Sequence, residues 1–101
     1  MKYRISREAG QDLENIWLYT FNEWSIEQAD RYFSLIMDEI EFLAENPDSG
    51  KDIGELRNGY FKSRVKSHLI FYKINKLNNS VEIVRILHQQ MDIENRLNEI
   101  Q

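Results

Sequence analysis

Arg64, His68, Tyr72, Arg85 and His88 are the residues of this 101-residue chain whose types could do chemistry together. Histidine exchanges protons near neutral pH, and arginine stabilises charge that builds on a phosphorane-like transition state. All five fall on three consecutive strand-like runs, where neighbouring strands would bring them near one another. Such a set would suit acid–base cleavage of RNA. Each also has a plainer role, since His68 and His88 sit at strand ends, where an imidazole commonly satisfies a backbone group. Metal chemistry is not expected, because two histidines without HxxxH or HxH spacing leave a third ligand unsupplied. The chain has no cysteine, and it contains no glycine-rich phosphate loop and no nucleophile elbow. No cofactor is expected.

The elements that must position these residues centre on Ser67–Asp92, SHLIFYKINKLNNSVEIVRILHQQMD. Two apolar, β-branched and aromatic runs, His68–Ile74 and Val81–Leu87, flank the turn-rich stretch Asn75–Ser80. This is a β-hairpin with Asn78-Asn79 at its tip, because asparagine tolerates the positive φ that tight turns need. Strict alternation puts Ile70, Tyr72 and Ile74 on one face of the first strand, with Leu69 and Phe71 on the other. In the second it groups Val81, Ile83 and Leu87 against Val84 and Ile86. Both faces therefore carry apolar groups and both need a cover.

Upstream, Lys2–Ile5 alternates as a short strand. Ser6 caps a helix whose apolar residues recur through Ala9, Leu13, Ile16, Trp17, Phe21 and Trp24, ending near Glu23. Ser25-Ile26-Glu27-Gln28 fits a capping box that opens a second helix, striped by Ala29, Tyr32, Phe33, Ile36, Ile40 and Leu43. Asn46-Pro47-Asp48-Ser49-Gly50 ends it. The short connection makes an antiparallel helical hairpin, and Trp17, Phe21, Trp24, Tyr32 and Phe33 are expected in its core. Lys51–Gly59 is a loop, Tyr60–Val65 a further strand, and Asp92–Gln101 a short helix or extended tail with Ile93, Leu97 and Ile100 aligned. The expectation is one α+β domain over residues 1–101, ordered β-α-α-β-β-β, with the helical hairpin on one face of a small antiparallel sheet. Apart from that tail, no segment remains to cover the other face, so a partner protein is expected there.

The net charge of −4 hides an asymmetry. Residues 1–56 hold 13 acidic and 5 basic side chains, whereas residues 57–80 hold 6 basic and no acidic ones. A basic sheet beside acidic helices suits an anionic partner, although a basic edge also guards against edge-to-edge aggregation. Arg57, Lys62, Arg64 and Lys66 with Tyr60 and Phe61 would also suit phosphate contact and stacking, against the acidic balance of the whole chain. No run approaches the ~20 apolar residues of a membrane span, and the cytoplasm is the expected compartment.

Four strings in order carry a resemblance. LAENPDSGKDIGELRNGYFK (Leu43–Lys62), SHLIFYKI (Ser67–Ile74) and VEIVRILHQQMD (Val81–Asp92) include an ENP–G turn, an LR-x-G approach to the sheet, an H-x-I-F-Y strand and an I-x-R-I-L-H ending. In this the chain resembles the ParE branch of the RelE/ParE toxins. The resemblance implies a bacterial type II toxin, neutralised by a ParD-like antitoxin that wraps it with a helix and an extended segment. It implies operator DNA contact only through that complex, and a gyrase poison that stabilises the cleaved-DNA complex without catalytic residues of its own. The RelE branch instead cuts mRNA on the ribosome, using basic residues and often a C-terminal tyrosine. Here His68 stands where those nucleases tend to carry arginine, no tyrosine follows Leu87, and the tail is polar and acidic, which favours ParE. His88 keeps the endonuclease open as the alternative, in which His88, Arg64 and Arg85 would be the catalytic residues, and an inactive member that only binds antitoxin is a third reading. On this basis Arg57, Arg64, Arg85 and His88 are expected to make polar target or antitoxin contacts. Phe61, Leu69 and Phe71 are expected to make apolar contacts with the antitoxin.

Overall fold

A computed structural model describes residues 1–99, so the Ile100 of the tail stripe lies outside the described residues. The elements are β1 (Lys2–Ile5), α1 (Arg7–Glu23), α2 (Ile26–Glu45), a 3-10 turn (Pro47–Ser49), β2 (Lys51–Asp52), β3 (Tyr60–Val65), β4 (His68–Asn75), β5 (Ser80–His88) and α3 (Ile93–Asn98). The strands form one sheet in the order β1-β5-β4-β3-β2. Three pairings are antiparallel, but β1 runs parallel to β5, with Lys2 opposite Ser80 and Ile5 opposite Ile83. The sheet is thus mixed rather than purely antiparallel, because the two helices carry the chain back across it before β5 is laid beside β1. The loop after α2 also contributes the two-residue β2, which pairs Lys51 with Lys62.

Local chemistry sets the helix boundaries. Ser6 Oγ accepts from Ala9 N at 3.0 Å, and Ser25 Oγ accepts from Gln28 N at 3.1 Å, so each helix begins on a serine that satisfies an otherwise orphaned amide. Asn79 has φ of 52° at the β4–β5 turn, where Asn75 Oδ1 also accepts from Asn78 N. Asp92 caps α3 through Asn95 N.

The core has two parts, one on each sheet face. Under the helices lie Ala9 and Leu13 of α1, Ile36, Ile40 and Leu43 of α2, and Ile70, Tyr72, Val81, Ile83 and Ile86 of the sheet. On the other face Ile53, Tyr60, Leu69, Phe71, Val84, Leu87 and Leu97 pack together. This second cover comes from the chain itself. Leu97 of α3 is 1% exposed, and Ile53 of the loop is buried beside it. The expected partner protein is not needed to bury this part of the face, because a six-residue helix and one loop residue suffice.

A register shift between Phe71 and Tyr72 decides which β5 residues face where. Phe71 pairs with Arg85 and Tyr72 with Ile83, so Val84 is an extra residue in β5. Strict alternation, which grouped Leu87 with Val81 and Ile83 and Ile86 with Val84, therefore fails past Val84. Ile86 instead joins the helix-side core, while Val84 and Leu87 face α3.

Tyr72, fully buried, pins the turn after α2 to the sheet. Its hydroxyl donates to Pro47 O at 2.8 Å and accepts from Gly50 N at 3.0 Å. A Cβ at Gly50 would lie 2.2 Å from that oxygen and 2.9 Å from Lys62 O, a backbone atom that cannot yield. Gly50→Ala is therefore expected to destabilise by about 2–3 kcal/mol in urea denaturation. Tyr72→Phe, which removes the clashing oxygen, should cost less in that background than in the unsubstituted chain.

Candidate functional site

An open groove of about 940 Å³ runs between the α1–α2 hairpin and the far end of β4 and β5. Ile16, Tyr19 and Trp24 of α1 and its cap, Leu35 of α2, Ile86 of β5 and Met91 provide most of its apolar wall. Trp24 is 75% exposed and Tyr19 66%. Arg31, Lys66, His68 and His88 add cationic or titratable groups. Lys66 is presented from the β3–β4 turn with φ of 55°, a left-handed conformation unusual for lysine, and Arg64 Nε holds the turn by donating to Lys66 O at 2.8 Å.

The floor of the groove is a Tyr32–His68–His88 cluster. Tyr32 Oη lies 3.2 Å from Val65 O and 2.6 Å from His68 Nδ1, and the two imidazoles meet edge to face at 5.2 Å. One phenolic proton can serve only one acceptor. If it goes to Val65 O, as the geometry allows, His68 donates from Nδ1 and its Nε2 is left unprotonated. His88 Nδ1 accepts from Gln90 N at 3.1 Å, which fits the strand-end role read from the sequence. Burial first, then the neighbouring His88, pushes His68 down to about 4, with Asp12 acting in the opposite direction.

Beside the groove, Asp12 of α1 closes the edge of β5 where β1 has ended. It accepts from Arg85 Nε at 2.8 Å, Arg85 Nη2 at 3.0 Å and Ile86 N at 2.9 Å. Both side chains are largely buried, at 14% and 12% exposure, and the hydrogen bonds to Asp12 raise the Arg85 pKa further. Ser6 Oγ completes the closure by donating to Val84 O at 3.0 Å.

The residues singled out from the sequence are dispersed by this geometry. Of the four polar candidates only His88 lines the groove. Arg85 is engaged by Asp12. Arg57 donates from Nη1 to Leu97 O at 2.9 Å and lies over the Tyr60 ring, tying α3 to the sheet. Arg64 is paired with Leu69 on the face opposite the helices, whereas His68 and His88 are paired on the helix side. The nuclease set of His88, Arg64 and Arg85 therefore does not converge, and Tyr72 is spent on its own turn. Among the apolar candidates, Phe61 is half-buried on the helix face and stacked on Tyr72 at 5.5 Å. Leu69 and Phe71, at 9% and 0% exposure, lie in the cluster completed by α3.

The hairpin aromatics differ from expectation as well. Tyr32 packs against the core, but Phe21 is 44%, Phe33 40% and Trp24 75% exposed. Each helix has a wider apolar stripe than the sheet can cover, so the residues one step around from the Ala9–Leu13 and Ile36–Ile40 lines remain outside. The groove itself was not legible in the sequence, because its walls come from segments that are distant in the chain.

A family model described as the ParE toxin of the type II toxin–antitoxin system parDE matches residues 3–93. The chain belongs to the ParE toxin family. Toxin ParE1 of Caulobacter vibrioides is 41% identical over 90 residues, covering 89% of this chain and 91% of that one. Toxin ParE1 of Mycobacterium tuberculosis is 35% identical over 96 residues, covering 95% and 97%. A solved structure titled as the chromosomal ParDE TA system from P. aeruginosa superposes with a TM-score of 0.72 at 17% identity, over 87% of this chain and 95% of that one, and shares the fold. No helix among the described residues is long and apolar enough to cross a membrane.

Two outcomes follow for this ParE-family chain. His68 binds a proton near pH 6.5 when unfolded but only near pH 4 when folded, so its contribution to stability is intact above pH 6.5 and falls as the pH drops towards 4. After discounting for a half-buried ring, the loss is about 1–2 kcal/mol. His68→Asn should reduce the difference between urea midpoints at pH 7 and pH 4.5. Asp12→Ala, which strands Arg85, should cost about 3 kcal/mol, and adding Arg85→Met should restore part of that loss in the same measurement.

Proposed function

We propose that this ParE-family toxin acts on DNA gyrase, stabilising its cleaved-DNA complex, and is neutralised by a ParD-like antitoxin. The groove is the observation that carries the antitoxin half of this reading. Its apolar wall with exposed Trp24 and Tyr19 suits the apolar stripe of a partner helix, and Arg31 and Lys66 suit acidic residues beside that stripe. Operator DNA would then be reached only through the antitoxin complex. The dispersal of Arg64, Arg85 and His88 supports a binding role over catalysis on RNA.

The test is a supercoiling assay with purified gyrase, scoring linear plasmid after detergent and protease. Linear DNA should accumulate with this protein and disappear when the antitoxin is added; a plasmid left intact at saturating toxin would remove the gyrase half. The second reading, a ribosome-dependent mRNA endonuclease, rests on the adjoining His68, His88 and Tyr32 at the groove floor. A pKa near 4 makes His68 a weak general base at neutral pH. Transcript cleavage on ribosomes that is abolished by His88→Ala would establish that reading instead.

A further inference from the structure

The helical hairpin has a second seam, on the side away from the groove. Leu13, Glu14, Trp17 and Leu18 of α1 and Asp30 and Phe33 of α2 line a furrow of about 460 Å³ there. Leu18 and Phe33 are 44% and 40% exposed, although each sits on a helix with a complete core stripe of its own. Trp17 stacks on Phe21 with centroids 5.3 Å apart and planes 10° from parallel, which presents a broad aromatic surface. Trp17 Nε1 donates to Asp30 Oδ1 at 2.9 Å, so one carboxylate oxygen is oriented by the ring and the other is left for a further donor.

The charged residues that line this furrow are of one sign. Among the described residues its lining holds two carboxylates and no basic side chain. Residues 7–45, which span the hairpin, carry ten carboxylates and two arginines. An apolar slot with aromatic walls in a strongly negative surface is matched by a cation on an apolar support. A guanidinium can lie over the Trp17 and Phe21 rings while pairing with Glu14 and Asp30. Residues 57–80, which contain all of β3 and β4, have the opposite balance, six basic and no acidic side chains. The helical hairpin and the β3–β4 pair therefore carry opposite charge balances, suited to partners of opposite sign.

We propose that the Trp17–Phe33 furrow is the target-binding surface of this toxin, accepting an arginine-bearing apolar segment of the protein it poisons. The inference rests on the toxin reading above. An enzyme that holds a DNA segment carries lysines and arginines around the DNA path, and those beside the bound segment stay free to pair with a surface of this hairpin's charge while the DNA remains in place. The antitoxin is assigned to the groove with the cationic rim, so the two partners use separate seams of one hairpin.

The test compares the unsubstituted toxin with Glu14→Arg, Asp30→Arg, Trp17→Ala and, as a charge-reversal control elsewhere, Glu55→Arg. Each is scored for gyrase-dependent plasmid linearisation and for affinity to the antitoxin, with circular dichroism confirming that all are folded. The three furrow variants should need at least tenfold more protein for equal linearisation while binding antitoxin within twofold of the original, and Glu55→Arg should change neither. Furrow variants that linearise DNA as well as the original overturn the proposal. So does a loss of antitoxin affinity in the same variants, which would give the furrow to the antitoxin. If the unsubstituted toxin does not act on gyrase, that reading fails by itself. The same variants are then scored for growth arrest on induction, where unaltered arrest overturns the furrow and its loss with Glu14→Arg and Asp30→Arg supports it.

Discussion

Asp12 receives three donors from β5 at the point where β1 stops pairing, and much of the molecule depends on that contact. A central strand with an unpaired edge would leave amides and carbonyls exposed between the sheet and the helices. The carboxylate takes the Ile86 amide directly, and the guanidinium of Arg85 neutralises the carboxylate within a largely buried site. A buried charge is tolerated only when so many donors converge on it. The same contact orders the entrance of the groove, since Asp12, Ile86 and His88 all line it.

The β5 bulge at Val84 gives that arrangement its second consequence. One extra residue turns Ile86 and His88 towards the helices and leaves Val84 and Leu87 under α3. It therefore brings His88 beside His68 and Tyr32, while Phe71 and Leu69 become a second core whose cover is α3 and Ile53. Arg57 holds α3 there through its last-turn carbonyl at Leu97.

The two surfaces proposed for binding lie where the helices are too apolar for the sheet they cover. α1 and α2 each supply a buried line of Ala, Leu or Ile, and their aromatic residues fall to either side. On one side Tyr19 and Trp24 wall the groove; on the other Trp17, Leu18 and Phe33 wall the furrow. Burial of apolar area drives the hairpin onto the sheet, but it does not require every aromatic to be enclosed. The uncovered rings are those whose area remains available for binding.

The sequence by itself determined the element order, both serine caps, the asparagine turn, the end of α2 at the Asn-Pro stretch and the family. These are local: a cap, a turn or a string needs only neighbours within a few residues. Tertiary structure alone decided the parallel pairing of β1, the faces of β5 beyond Val84, the cover over Phe71 and the partners of Arg57 and Arg85. Alternation along β5 predicted faces correctly until one unpaired residue inverted them, because a period of two carries no memory of an insertion. The arginines looked alike as sequence. Only packing could show that Arg85 is neutralised by a carboxylate 73 residues away, while Arg64 on β3 and His88 on β5, with β4 between them, point to opposite sides of the sheet.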